Sequence, residues 1–135
     1  MRGWEHSFLR GVILESRFNL LVVDDSPELR QSIRNQFSEE GFVVDEASDG
    51  EAALAMILKT DYDVILLDLR MPRMDGKQVL REMKRHHKTS HVIIVSVTDD
   101  ALSMDECRRL GAIDYLTKPY EPDELMKVII QSLSL

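Results

Sequence analysis

The sequence predicts an α/β fold, a parallel sheet covered by helices on both faces, and three observations lead there. Short apolar runs alternate five times with longer segments of helical period. Three of the runs are continuous four-residue apolar blocks rather than alternating ones, the pattern of strands buried on both faces. The size also fits: 135 residues, 44% hydrophobic and 30% charged, are enough to bury a single core.

Taken in order, the strands are Leu20 to Val23, Phe42 to Val44, Val64 to Leu67, Val92 to Val95 and the weaker Ile113 to Leu116. The first helix places Leu29, Ile33 and Phe37 at i, i+4 and i+8, with Ser26 as N-cap, Pro27 at the first helical position and Gly41 past the end. A second runs from Glu51 to Leu58, with Leu54, Ile57 and Leu58 apolar and Lys59 completing its last turn. The third spans Lys77 to Arg85 and carries Val79, Leu80 and Met83. The fourth, Ala101 to Leu110, sets Met104, Cys107 and Leu110 among Asp105, Glu106, Arg108 and Arg109, so it is expected to be the least firmly held. The last starts at Pro122 and presents Leu125, Val128, Ile129 and Leu133 to the core. Alternation of this kind gives right-handed crossovers.

Charge and cysteine usage narrow the class. With 17 Lys and Arg against 24 Asp and Glu the net charge is −7, a poor match for sequence-independent nucleic-acid binding. The single cysteine, Cys107, excludes an internal disulfide and fits a reducing compartment. The apolar runs are far short of the roughly 20 residues that cross a bilayer. A soluble cytoplasmic protein without direct nucleic-acid or membrane contact is expected. Residues 1–18 differ from the rest: three arginines against two glutamates give them a net +1, and they lack the apolar centre of a secretory signal. They read as an N-terminal extension or linker, or as a docking helix using Trp4, Phe8, Leu9 and Val12.

In doubly wound sheets the chemistry lies beyond the carboxyl ends of the strands. Those positions hold Asp24 and Asp25 after the first strand, Asp68 after the third, Ser96 after the fourth and Lys118-Pro119 after the fifth, while Asp45-Glu46 at the end of the second has no assigned role. Any one carboxylate could simply cap a helix. Three of them with a lysine, at four separate strand ends, make chance capping a poor account. Carboxylates packed together repel and raise one another's pKa, so an ionised cluster wants a cation. With only oxygen donors the expected ion is Mg²⁺, which keeps open waters when few protein ligands hold it. That arrangement suits phosphoryl transfer, and an Asp carboxylate can itself be the nucleophile.

The set Leu21-Val22-Val23-Asp24-Asp25, the block Val64 to Gly76 with its Asp68-Leu69-Arg70-Met71-Pro72-Arg73-Met74-Asp75-Gly76, Val92 to Ser96, and Tyr115 to Tyr120 with Lys118-Pro119 resembles the receiver domain of two-component response regulators, the CheY-like family. The resemblance covers residues 19–135. It implies a flavodoxin-like (βα)5 doubly wound sandwich whose five-stranded parallel sheet has the order 2-1-3-4-5, a topology for which that family's archetype is a standard example. It further implies that Asp68 is the phosphoacceptor. Asp25, Asp68 and the backbone carbonyl of Arg70 would hold Mg²⁺, with Asp24 acting mainly through bound water. Lys118 would pair with a phosphoryl oxygen, and its peptide bond to Pro119 is expected to be cis, a form open mainly to X-Pro bonds. Ser96 would donate its hydroxyl to the phosphoryl group, and Tyr115 would be the aromatic switch.

The implied function is a signalling receiver. It would take a phosphoryl group from a histidine kinase or phosphotransfer protein, catalyse only its own phosphorylation and dephosphorylation, and address a downstream protein, an effector domain or a second copy through its fourth helix, fifth strand and fifth helix. Ser96 stands where Thr is more common, and Val97 where a small residue is usual, which is expected to narrow access to Asp68. Arg70 and Thr98 occupy positions associated with dephosphorylation rate. A haloacid-dehalogenase-type phosphatase is the alternative, but it needs an Asp two residues after its nucleophile, where this chain has Arg70. A flavodoxin-like cofactor binder would need a phosphate loop where Asp24 and Asp25 stand. His86, His87 and His91 are accounted for by a polar loop rather than a metal site.

Overall fold

The computed structural model describes residues 17–134 and contains five strands and five helices in strict alternation. The strands are β1 (Asn19–Val23), β2 (Val43–Ala47), β3 (Val64–Leu67), β4 (His91–Ser96) and β5 (Asp114–Thr117). The helices are α1 (Pro27–Ser38), α2 (Gly50–Lys59), α3 (Gly76–Arg85), α4 (Ala101–Arg109) and α5 (Pro122–Leu133). All strand pairs are parallel and the sheet order is β2-β1-β3-β4-β5, the flavodoxin-like order implied above.

Burial on both faces explains the unbroken apolar runs of the central strands. β1, β3 and β4 are covered on both faces, and the sheet divides the core in two. One layer, with α1 and α5, gathers Leu20, Val22, Ile33, Phe37, Leu125 and Ile129. The other, with α2, α3 and α4, gathers Leu21, Val23, Ile57, Ile65, Leu80 and Cys107. Successive residues of one strand point into opposite layers, which is why the central runs are apolar without interruption.

Several boundaries and faces differ from expectation. β2 runs on to Ala47, so Asp45 and Glu46 lie within an edge strand rather than at its end. α2 and α3 each start one residue early, at Gly50 and Gly76, capped by Asp49 and Asp75. Leu58, expected on the apolar face of α2, is 43% exposed, because Ala53 and Ile57 occupy the buried stripe. In α5 the fully buried set is Leu125, Met126, Ile129 and Ser132, while Val128 and Leu133 are half-buried. α4 ends at Arg109, and only Cys107 of its residues is fully buried, in keeping with a weakly held helix.

Phe18, assigned to the extension, packs on the core with its ring 5.9 Å from that of Phe42, and its carbonyl accepts from Val43 N–H at 2.9 Å. Trp4, Phe8, Leu9 and Val12 lie outside the described residues. His86 ends α3, His87 turns through the left-handed region (φ 57°) and His91 begins β4, so the three histidines are spread over a turn and a strand start. No described helix is long and apolar enough to cross a membrane.

Candidate functional site

Register builds the site. β1 and β3 are paired so that Val23 lies opposite Leu67, and the residue after each is an aspartate, which sets Asp24 and Asp68 side by side. Asp68 N–H donates to Val23 carbonyl at 3.0 Å and Asp24 N–H to Ala47 carbonyl at 3.1 Å, so both acids are still held by the ladder. Across β4 and β5, Ser96 lies opposite Thr117, and Lys118 N–H donates to Ser96 carbonyl at 2.9 Å. The Lys118-Pro119 peptide is cis, the isomer expected from the resemblance.

These placements bring four of the predicted side chains together. Asp24, Asp25 and Asp68 each offer a carboxylate oxygen, and these oxygens lie within 4.8 Å of one another, the one such acidic, histidine or cysteine cluster among the described residues. Asp24 and Asp68 are buried and Asp25 is exposed. Lys118 Nζ bridges the two buried acids, 2.6 Å from Asp24 Oδ2 and 3.3 Å from Asp68 Oδ2. Asp24 is pinned further through its Oδ1, which accepts from Ser26 N–H at 2.9 Å. One ammonium facing three carboxylates leaves the cluster short of positive charge.

Burial raises the Asp68 carboxyl above its ordinary pKa, Lys118 works against this, and Asp24 adds to it. For Lys118 burial disfavours the charge, yet the hydrogen bond to Asp24 and the fields of Asp68 and Asp24 win and hold the ammonium above its ordinary value. The donor set is all oxygen, and a divalent ion of the hard type would relieve both the repulsion and the cost of burying two carboxylates, so the residues present fit magnesium.

The loop after Asp68 is set by close backbone approaches. A Cβ on Gly76 would lie 2.4 Å from the Asp68 carbonyl oxygen, and one on Gly50 would lie 2.0 Å from the Met74 carbonyl oxygen, so both positions admit only glycine without rearrangement. Arg73, at φ 69°, reaches Asp49 Oδ2 at 2.7 Å and ties the loop to the start of α2. Asp49 also caps α2 by accepting from Ala52 N–H, and this bond, with Arg73, holds its carboxyl below the usual carboxylate range. Arg70 is exposed in this loop, and its N–H donates to Asp68 Oδ1 at 3.3 Å.

The remaining predicted residues sit at the rim. Ser96 is buried and its Oγ accepts from Thr98 N–H at 3.2 Å. Tyr115 is half-buried and its hydroxyl donates to the Thr98 carbonyl, so it faces the loop after β4 rather than Asp68. Burial, with Cys107 and Asp100 nearby, pushes the Tyr115 hydroxyl up to about 12. Val97 is 57% exposed, with its side chain largely toward solvent. Residues that sequence reasoning left out include Tyr120, whose hydroxyl burial and the Asp24 field push up to about 12, and the Arg73-Asp49 pair. Glu46 is a third: it accepts from Arg30 Nε at 3.1 Å and Arg34 Nε at 2.5 Å, and the arginines at i and i+4 of α1 were the available signal.

Comparison with known proteins bears on family and fold. The family model described as "Response regulator receiver domain" matches residues 20–130. The regulatory protein AtoC of Escherichia coli is 35% identical over 116 residues, which are 86% of this chain but 25% of that protein, so the chain spans a quarter of this relative's length. Among solved structures, the receiver domain of the Francisella response regulator 1452 superposes with a TM-score of 0.82 at 35% identity, covering 87% of this chain and 97% of that one. The response regulator protein TrrA of Thermotoga maritima, in complex with Mg²⁺-BeF, gives 0.75 at 29% identity, with 85% and 98% covered.

Proposed function

Because the chain belongs to the response regulator receiver domain family, a signalling family, we propose that Asp68 accepts a phosphoryl group from a histidine kinase or a phosphotransfer protein in a Mg²⁺-dependent step. The observation that carries this reading is the convergence of Asp24, Asp25 and Asp68 at one sheet edge with Lys118 bridging two of them. Asp25, Asp68 and the Arg70 carbonyl would hold the ion, with Asp24 reaching it through water, and the Mg²⁺-BeF complex of the Thermotoga relative supports that choice of metal. A magnesium ion held by these residues would supply charge neutralisation for the carboxylates and for the incoming phosphoryl oxygens.

An Asp68 carboxylate oxygen attacks phosphorus, the phosphorus–nitrogen bond to the donor histidine breaks, and the electron pair returns to the imidazole. Lys118 is placed to exchange its contact with Asp68 for one with a phosphoryl oxygen. Ser96 donates its hydroxyl to another while its oxygen accepts from Thr98 N–H, so a shift of Ser96 toward the phosphoryl group is passed to the loop after β4 and to the Tyr115 hydroxyl on Thr98. In this reading the chain catalyses only its own phosphorylation and dephosphorylation. It works in the cytoplasm, and α4, β5 and α5 meet a downstream protein, an effector domain or a second copy. The haloacid-dehalogenase-type alternative has no support, since Arg70 stands where that chemistry needs an acid.

Acetyl phosphate with Mg²⁺ provides the test. Wild-type protein is expected to acquire a hydroxylamine-sensitive phosphate that EDTA prevents, and Asp68→Asn is expected to acquire none; labelling of Asp68→Asn at the wild-type level would overturn the assignment.

A further inference from the structure

We infer that Arg30 is a positioning residue of the metal site, setting the peptide that joins Asp24 to Asp25 and so the direction of the Asp25 carboxylate, and that Glu46 holds Arg30 in that role. The inference rests on the Mg²⁺-dependent reading above. Asp25 is the exposed member of the carboxylate trio, and among the described residues no side-chain contact fixes its carboxylate, so its aim must come from the backbone. The carbonyl oxygen of Asp24 and the amide nitrogen of Asp25 belong to one planar unit, and a fixed oxygen fixes the plane from which Asp25 departs. Arg30 Nη1 donates to that oxygen at 2.8 Å. Asp24 is thereby held at four points: N–H on Ala47, Oδ1 on Ser26, Oδ2 on Lys118 and carbonyl on Arg30.

Arg30 is itself mounted. Its Nε donates to Glu46 Oε1 at 3.1 Å, and the other oxygen of Glu46 takes Arg34 Nε at 2.5 Å. Glu46 stands on β2 directly opposite Val22, two residues before Asp24, so the mount is built on the same ladder as the site. The side chains of Arg30 and Glu46 are 17% and 25% exposed, which screens this pair less than an open surface pair. A bare guanidinium beside a cation site would oppose the ion. Glu46, shared with Arg34, offsets part of that charge, and the rigid planar fork of Arg30 holds the carbonyl and the carboxylate in one fixed geometry, which the rotatable point charge of an ammonium does not impose.

The test is the Mg²⁺ dissociation constant from an NMR titration of the unphosphorylated protein, read beside the melting temperature of the metal-free form. Arg30→Gln is expected to weaken Mg²⁺ binding by about tenfold, the lower end of what loss of such an outer partner costs. Arg30→Lys should recover only part of that, and Glu46→Gln should weaken binding in the same direction. Arg34→Gln, which leaves the Asp24 carbonyl contact in place, should change it by no more than about twofold. The Arg30→Gln/Glu46→Gln double variant should bind no worse than Arg30→Gln alone, because Glu46 acts through Arg30. Wild-type affinity in folded Arg30→Gln, or additive losses in the double variant, would overturn the inference. If Arg30→Gln does not fold, Arg30→Lys and Glu46→Gln decide it, and unchanged affinity in both overturns it. Absence of Mg²⁺ binding by the wild-type protein would instead fell the metal reading itself, and the inference with it.

Discussion

α5 and α4 pack on opposite layers of the same sheet and are held by different forces. α5 buries Leu125, Met126, Ile129 and Ser132, whereas α4 buries only Cys107. What α4 lacks in apolar contact it replaces with charge from α3: Lys77 Nζ and Arg81 Nη2 reach the two oxygens of Glu106 at 3.1 and 2.7 Å, and Lys77 Nζ also donates to Ser103 Oγ at 3.1 Å. Burial is short-ranged and is not weakened by charge screening, while half-exposed ion pairs are screened and weak. The same sheet thus carries one helix fixed by packing and one fastened by a latch that a modest change of field can release. Leu102, 80% exposed at the start of α4, confirms how little of that helix the core claims.

The largest expected effect comes from the packed side. Ile129→Ala should cost about 2–5 kcal/mol of stability, read from the denaturation midpoint at unchanged slope. Cys107→Ala, the corresponding deletion in α4, removes far less volume and should cost about 1 kcal/mol; equal losses for the two would break the contrast. Glu106→Gln should leave global stability close to wild type but speed amide exchange several-fold in α4 and not in α5, and 1 M salt should act on the wild type in the same way. Uniform acceleration across both helices would count against a local latch.

The smallest effect is the pH dependence of the latch. Hydrogen bonding from Lys77, with further help from Lys77 and Arg81 charge, lowers the Glu106 pKa below its ordinary 4.5. A carboxylate with a depressed folded-state pKa contributes fully above the ordinary value, and that contribution is lost as pH falls through the depressed one. Protection factors in α4, corrected for intrinsic exchange, should therefore be flat above pH 4.5 and fall in more acidic solution, while those of α5 hold.

Legibility in the sequence followed the same division of forces. The central strands declared themselves because burial on both faces leaves an unbroken apolar run, and the acids at their ends, Asp24, Asp25 and Asp68, could be named from position alone. The edge strand β2 is half polar, and its end was misplaced. Gly50 and Gly76 argue against helix by propensity, yet each begins one, capped by Asp49 and Asp75, and glycine stands there because a side chain would strike the Met74 or Asp68 carbonyl. That constraint comes from a neighbouring segment and leaves no local pattern. The Arg73-Asp49 tie joins residues 24 apart and was invisible for the same reason. Leu58 was misassigned because its neighbours Ala53 and Ile57 already filled the buried stripe.

The alignment of Val23 with Leu67 and of Ser96 with Thr117 has a consequence for how this molecule tolerates insertion and deletion. The carboxylates and the lysine are indexed by counting along strands, so removing one residue from β1 or β3 would turn an acid out of the cluster and swap its apolar neighbours between the two core layers. The turns at the opposite end of the strands, such as Thr60 to Asp61 and His86 to Ser90, enter that count nowhere, whereas Asp63 is already in the ladder through Asn19 and His91. Extra length can be spliced there without shifting the index, and a foreign loop grafted at Asp61 should leave the distance between Asp24 and Asp68 unchanged.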